Sequence, residues 1–170
     1  MGKKILNQNK EFDGIFNYLK SKGNISDELN ITSSTILRND QRFSPLNALE
    51  YDSNNYFMTE NIAGSWICFD FKKHKVIPTN YTIKSYQRTN DQHPRSWVIE
   101  GLNVKTSKWE IIDEKNDCSI LNGDGIIHTF QIQNQEENEF KSIKMRLTGP
   151  NWTNNNSFLI NSFELYGELI

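Results

Sequence analysis

The stretch Ser65-Trp66-Ile67-Cys68-Phe69-Asp70-Phe71 decides how the rest of the chain is read. Its apolar side chains fall at successive positions, so both faces of the segment are apolar. A short, aromatic-rich run of that kind reads as a strand in the middle of a sheet. Outward from it, comparable runs recur on both sides. Asn30-Ile31-Thr32-Ser33-Ser34 precedes it, and Tyr81-Thr82-Ile83-Lys84-Ser85-Tyr86 follows with Tyr81, Ile83 and Ser85 on one side. Trp97-Val98-Ile99-Glu100-Gly101-Leu102, Trp109-Glu110-Ile111-Ile112 and the segment from Gly125 to Ile132 continue the series. From Phe140 to Leu147, Ile143, Met145 and Leu147 alternate with Lys144 and Arg146, and a last run extends from Phe158 to Gly167. Many short strands separated by turn residues imply an all-β antiparallel sandwich or barrel.

One segment has a different period. In Glu11-Phe12-Asp13-Gly14-Ile15-Phe16-Asn17-Tyr18-Leu19-Lys20, the residues Phe12, Ile15, Phe16 and Leu19 are spaced to share one face of a helix. Gly23 and Asn24 supply a stop. The apolar stripe packs on the body of the domain or docks a partner.

Composition bounds the function. A chain of 170 residues, 36% apolar and 12% aromatic, is sized for one domain with a substantial core. A net charge of -2 lacks the positive excess of a nucleic-acid or anionic-membrane surface. Cys68 and Cys118 are too few for a disulfide framework. Met1 to Asn7 shows no signal-peptide stretch, and no run approaches the ~20 apolar residues of a membrane span. The expectation is a soluble, cytoplasmic chain.

His74, His93 and His128 make no zinc-ligand spacing, and the nucleophile-elbow, phosphate-loop and zinc-protease motifs are absent, so no enzyme is expected. Glu50-Tyr51-Asp52-Ser53-Asn54-Asn55 offers closely spaced oxygen atoms suited to a hard cation, but it lacks the EF-hand spacing and glycine, and the favoured reading is an Asx-rich turn. Three loops carry binding chemistry. Arg88, His93 and Arg95 stand in one, with planar guanidinium groups suited to oxyanions. Arg38, Arg42 and Phe43 stand in a second, and Asn151 and Trp152 in a third, where an indole beside amides suits a sugar or a peptide side chain. Each also reads as an ordinary solvated loop.

The order of these segments resembles that of discoidin-type domains, the coagulation-factor C-type β-sandwich of the galactose-binding-like superfamily, and of its intracellular, protist-like variants in particular. Ile31 to Ser34, Asn47 to Phe57, Ser65 to Phe71, Pro78 to Ser85, Arg95 to Gly101 and Trp109 follow in family order, and Arg146 to Trp152 with Phe163 to Gly167 is the most specific part. The resemblance covers residues 24–170 and leaves 1–23 as an N-terminal extension with a short helix. It implies a jelly-roll sandwich with the loops around 36–44, 86–95 and 149–156 gathered at one end, where members bind ligands. With no catalytic motif, signal peptide or terminal disulfide, the expectation is a non-catalytic binding module without a cofactor, engaging a protein partner through Arg38, Arg88 and Arg95 or, alternatively, a glycan on Trp152. Nucleic acid is not expected, and membrane binding would have only Phe43 and Trp152 as apolar contacts. Some sugar-binding relatives hold a structural calcium, whose counterparts here are Glu50, Asp52, Asn55 and Glu164.

Overall fold

The computed structural model describes residues 2–87, 92–134 and 136–170. Along the chain the elements are β1 (Lys3–Ile5), α1 (Ile15–Lys20), α2 (Ile25–Glu28), β2 (Leu29–Ser33), β3 (Phe57–Met58), β4 (Trp66–Phe71), β5 (Val76–Lys84), β6 (Trp97–Asn103), β7 (Trp109–Lys115), β8 (Ile127–Gln131), β9 (Phe140–Leu147), β10 (Leu159–Ile160) and β11 (Ser162–Leu169). Short 3-10 turns lie within residues 37–49.

The double-sided apolar pattern of β4 has its expected consequence. β4 is flanked by β2 and β9, and β9 is flanked in turn by β6, which carries β7 at its edge. The second layer runs β1-β11-β5-β8. The layers join at one corner through Val76 opposite Phe140 and are otherwise packed face to face, with every pairing antiparallel. This is the antiparallel β-sandwich expected from the sequence.

Aromatic rings fill the space between the layers. Phe69 of β4 stacks on Phe163 of β11 with ring centroids 5.1 Å apart, and Trp97 of β6 meets Phe130 of β8 edge-on at 5.5 Å. The indole Nε1 of Trp97 donates to the Tyr81 hydroxyl, which donates to Asp113, so a polar thread crosses the core with each donor matched. Trp66 is half-buried, and Trp109 lies exposed on β7 under the Lys144 ammonium, 3.9 Å from its ring centre.

The helix is shorter than its periodicity predicts. It begins at Ile15 rather than Glu11, and Phe12 sits in a left-handed conformation with φ 59°. The cause is tertiary. The carboxylate of Glu164 on β11 accepts hydrogen bonds from the amides of Gly14, Phe16 and Asn17, fixing where the helix starts. Phe12 packs instead on Tyr51 at 4.7 Å, and its amide donates to the Tyr166 hydroxyl. Ile15, Phe16 and Leu19 are buried in the same core as the strands, with the Phe16 ring 4.8 Å from Phe69. Asn24 marks a boundary of another kind: its side chain caps α2 by accepting from the Ser26 amide.

Candidate functional site

Antiparallel register decides which loops meet. β2, β5, β7 and β9 finish at the end of the sandwich where β4, β6, β8 and β11 begin: Ser33 lies opposite Ile67, Lys84 opposite Ser162 and Ile127, and Trp97 opposite both Lys115 and Leu147. The connections that follow those four strands therefore emerge together. Arg38, Arg42, Phe43, His93, Arg95, Asn151 and Trp152 all lie on these connections. Arg88 falls outside the described residues.

Two patches form on this rim. In the first, the Arg95 guanidinium lies 4.7 Å from the centre of the Trp152 ring, and its Nε donates to Asp117 at 2.6 Å. The Trp152 amide donates to the His93 carbonyl at 3.4 Å, and His93 Nε2 lies 3.9 Å from an Asp124 carboxylate oxygen. His93 is buried beneath this patch, while Arg95 and Trp152 are half-buried and face outward. The Trp152 indole nitrogen is covered and has no hydrogen-bond acceptor among the described residues. Asn151 is fully buried. Its carboxamide donates to Asn155 and to the Ser157 carbonyl and accepts from Thr153, so it shapes the loop that presents Trp152.

In the second patch Phe43 packs on Tyr56 with centroids 5.4 Å apart, and Tyr56 packs on Tyr86 at 4.4 Å. A cleft beside this ladder is lined by Arg42, Phe43, Asn47, Asn54, Asn55 and Tyr56. The Arg42 guanidinium is exposed and pairs with Asp40 through two nitrogens, 2.8 and 2.6 Å away. Arg38 is exposed with φ 55°, and its amide donates to Glu60. The patches connect beneath the rim, because the Gly125 amide donates to the Tyr86 carbonyl next to Asp124. Tyr56, Tyr86, Asp117 and Asp124 are rim residues that the sequence reading did not single out. They lie outside regular strands, and no period marks them.

The cation implied by the resemblance does not fit its donor set. A calcium needs about six to eight oxygen atoms facing it. Glu164 spends both carboxylate oxygens on the amides of Gly14, Phe16, Asn17 and Leu165 and on the Tyr51 hydroxyl, all within 2.7–3.1 Å. Glu50 accepts from the Asn55 carboxamide at 2.7 Å, and Asp52 accepts from the Asn54 amide at 2.9 Å. The carbonyls of Asp52 and Asn55 both accept from the side chain of Asn161. Burial pushes the Glu164 carboxyl above its ordinary range, against the pull of its hydrogen-bond donors, and pushes the Tyr51 phenol well above its own. Among the described residues no cluster of three acidic, histidine or cysteine side chains is arranged to hold a metal.

Comparison with known proteins agrees with this architecture. The family described as Sad1/UNC-like C-terminal matches residues 38–169. Among solved structures, the F5/8 type C domain of a Bacteroides fragilis protein superposes with a TM-score of 0.67 at 14% identity, covering 82% of this chain and 91% of that one. CBM32-3 from a family 31 glycoside hydrolase of Clostridium perfringens superposes at 0.62 and 14% identity, covering 84% and 92%. A family 32 CBM from the same organism, in complex with galactose, superposes at 0.60 and 11% identity, covering 82% and 94%. The fold is thus the discoidin-like antiparallel β-sandwich of the F5/8 type C and family 32 CBM domains. No curated protein sequence matches the chain.

Proposed function

This chain belongs to the Sad1/UNC-like C-terminal family, and from that membership we propose that it is a non-catalytic binding module whose rim takes an acidic segment of a protein partner. The observation that carries the reading is the Arg95–Trp152 pair, a guanidinium laid against an indole face at the strand ends. Among the described residues Arg95 is bonded through Nε alone, to Asp117, and it is the terminal nitrogens that would meet a carboxylate. Arginine and tryptophan are the residue types that most often dominate protein interfaces. Among the described residues of the rim, no nucleophile is held by a base that a third group orients.

The test is affinity purification from native lysate with the wild-type chain and with an Arg95→Ala/Trp152→Ala variant, followed by a dissociation constant for each partner identified. At least a tenfold weakening is expected, equivalent to about 1.4 kcal/mol. Partners captured equally by both proteins would remove this patch from the account.

A second reading has its own observation. The cleft beside Phe43 and Tyr56 sets aromatic faces next to the carboxamides of Asn47, Asn54 and Asn55 and the Arg42 guanidinium, the groups that hold a pyranose ring and its hydroxyls. The galactose complex of the structurally similar CBM supports weighing it. A glycan array decides: a hit lost in Tyr56→Ala and kept in Trp152→Ala favours the cleft, and a blank array dismisses it.

A further inference from the structure

We propose that Lys20, the amide edge of α1 and the Asn161 carboxamide together take the place of a structural cation, so that the loop of residues 49–55 is set without metal and the N-terminal segment is part of what sets it. The implied calcium and its donor set do not match. An ion at this place would draw together the loop carbonyls and the buried Glu164 carboxylate. Here the Glu164 carboxylate and the carbonyls of Leu49, Asp52 and Asn55 already face hydrogen-bond donors that belong to the chain.

The Lys20 ammonium donates to the Leu49 carbonyl and lies 3.8 Å from the centre of the Tyr51 ring. Three amides of the turn that opens α1 point at Glu164, the electrostatic complement that a buried carboxylate requires. Asn161, fully buried between β10 and β11, donates one side-chain nitrogen to the carbonyls of Asp52 and Asn55, at 3.1 and 2.6 Å. That nitrogen bridges two carbonyls as an ion would. Tyr51 links the groups: its hydroxyl donates to Glu164, and its ring carries Lys20 on one side and Phe12 nearby. Burial lowers the Lys20 pKa, while Glu164 and Glu50 draw it back up, as expected for an ammonium held among acceptors.

The arrangement has a structural cost that a bound ion would not have. Lys20 and the amides at the start of α1 come from residues 14–20, so the loop depends on chain that precedes the first long strand. The experiment is a thermal melt of the whole chain in excess chelator and in rising calcium chloride at matched ionic strength. A ligand that binds only the folded state raises the melting temperature with its concentration. The wild-type melting temperature is expected to stay the same throughout, and Lys20→Met is expected to melt several degrees lower. A saturable, calcium-dependent rise in the wild type overturns the proposal, and so does an unchanged melting temperature in Lys20→Met. Should the variant not fold, the wild-type titration alone decides.

Discussion

Glu164→Ala removes the shared acceptor of four backbone amides and of the Tyr51 hydroxyl in a site closed to water. Each buried donor left without a partner costs on the order of 1–3 kcal/mol, so the variant should lose about 3 kcal/mol or more of unfolding free energy. A urea melt measures it. A loss below about 1 kcal/mol would mean that water or a neighbouring group satisfies these donors. The sequence showed Glu164 only as an acidic residue in a strand pattern. The calcium reading of Glu164 came from the family resemblance alone, and a buried carboxylate facing an acidic loop suits a cation as well as it suits amides. The choice between them lies with α1, whose amides arrive from the other end of the chain. Asn151 had the same ambiguity. An Asn beside a Trp reads as a ligand contact, yet here it holds the loop from below.

At the scale of elements, the strands were legible wherever alternation or a fully apolar run was sustained. β4, β6, β9 and β11 lie where those patterns lie, because burial against a second layer imposes the period. The helix start was not legible. Its cap comes from a residue 150 positions away, and local spacing that would place Phe12 on the stripe is overridden by the contact with Tyr51. A glycine on β11 reveals a comparable constraint. The β11–β5 register shifts between Tyr166 and Gly167, and Gly167 has φ 148°. A Cβ there would lie 2.1 Å from the Ile77 carbonyl oxygen. Gly167→Ala should therefore cost about 2 kcal/mol or more, a fall in melting temperature of roughly 4–8 °C. A variant that melts with the wild type would show that β5 can retreat from β11 at no cost.

For the molecule as a whole, the gathering of loops at one end was available from the family order of the segments. Which side chains reach outward was not, since that depends on contacts such as Trp152 with Arg95 and Phe43 with Tyr56. The remaining question at this scale is whether residues 1–23 form an appendage or part of the cooperative unit. β1 pairs with the last three residues of β11 from Gly167 to Leu169, and α1 buries Ile15, Phe16 and Leu19 among the aromatic rings of both layers. An appendage would open without disturbing the sandwich, and its amides would exchange far faster than those of the strands. Opening α1 here exposes Phe69, Phe71 and Phe163 to water and strips the Glu164 carboxylate of three of its donors, so the cost approaches that of global unfolding. Native-state hydrogen exchange should thus give the amides of Phe16 and Asn17 protection comparable to those of β11. Exchange of α1 at loop-like rates would separate it from the core and turn Glu164 into a docking point for a segment that comes and goes.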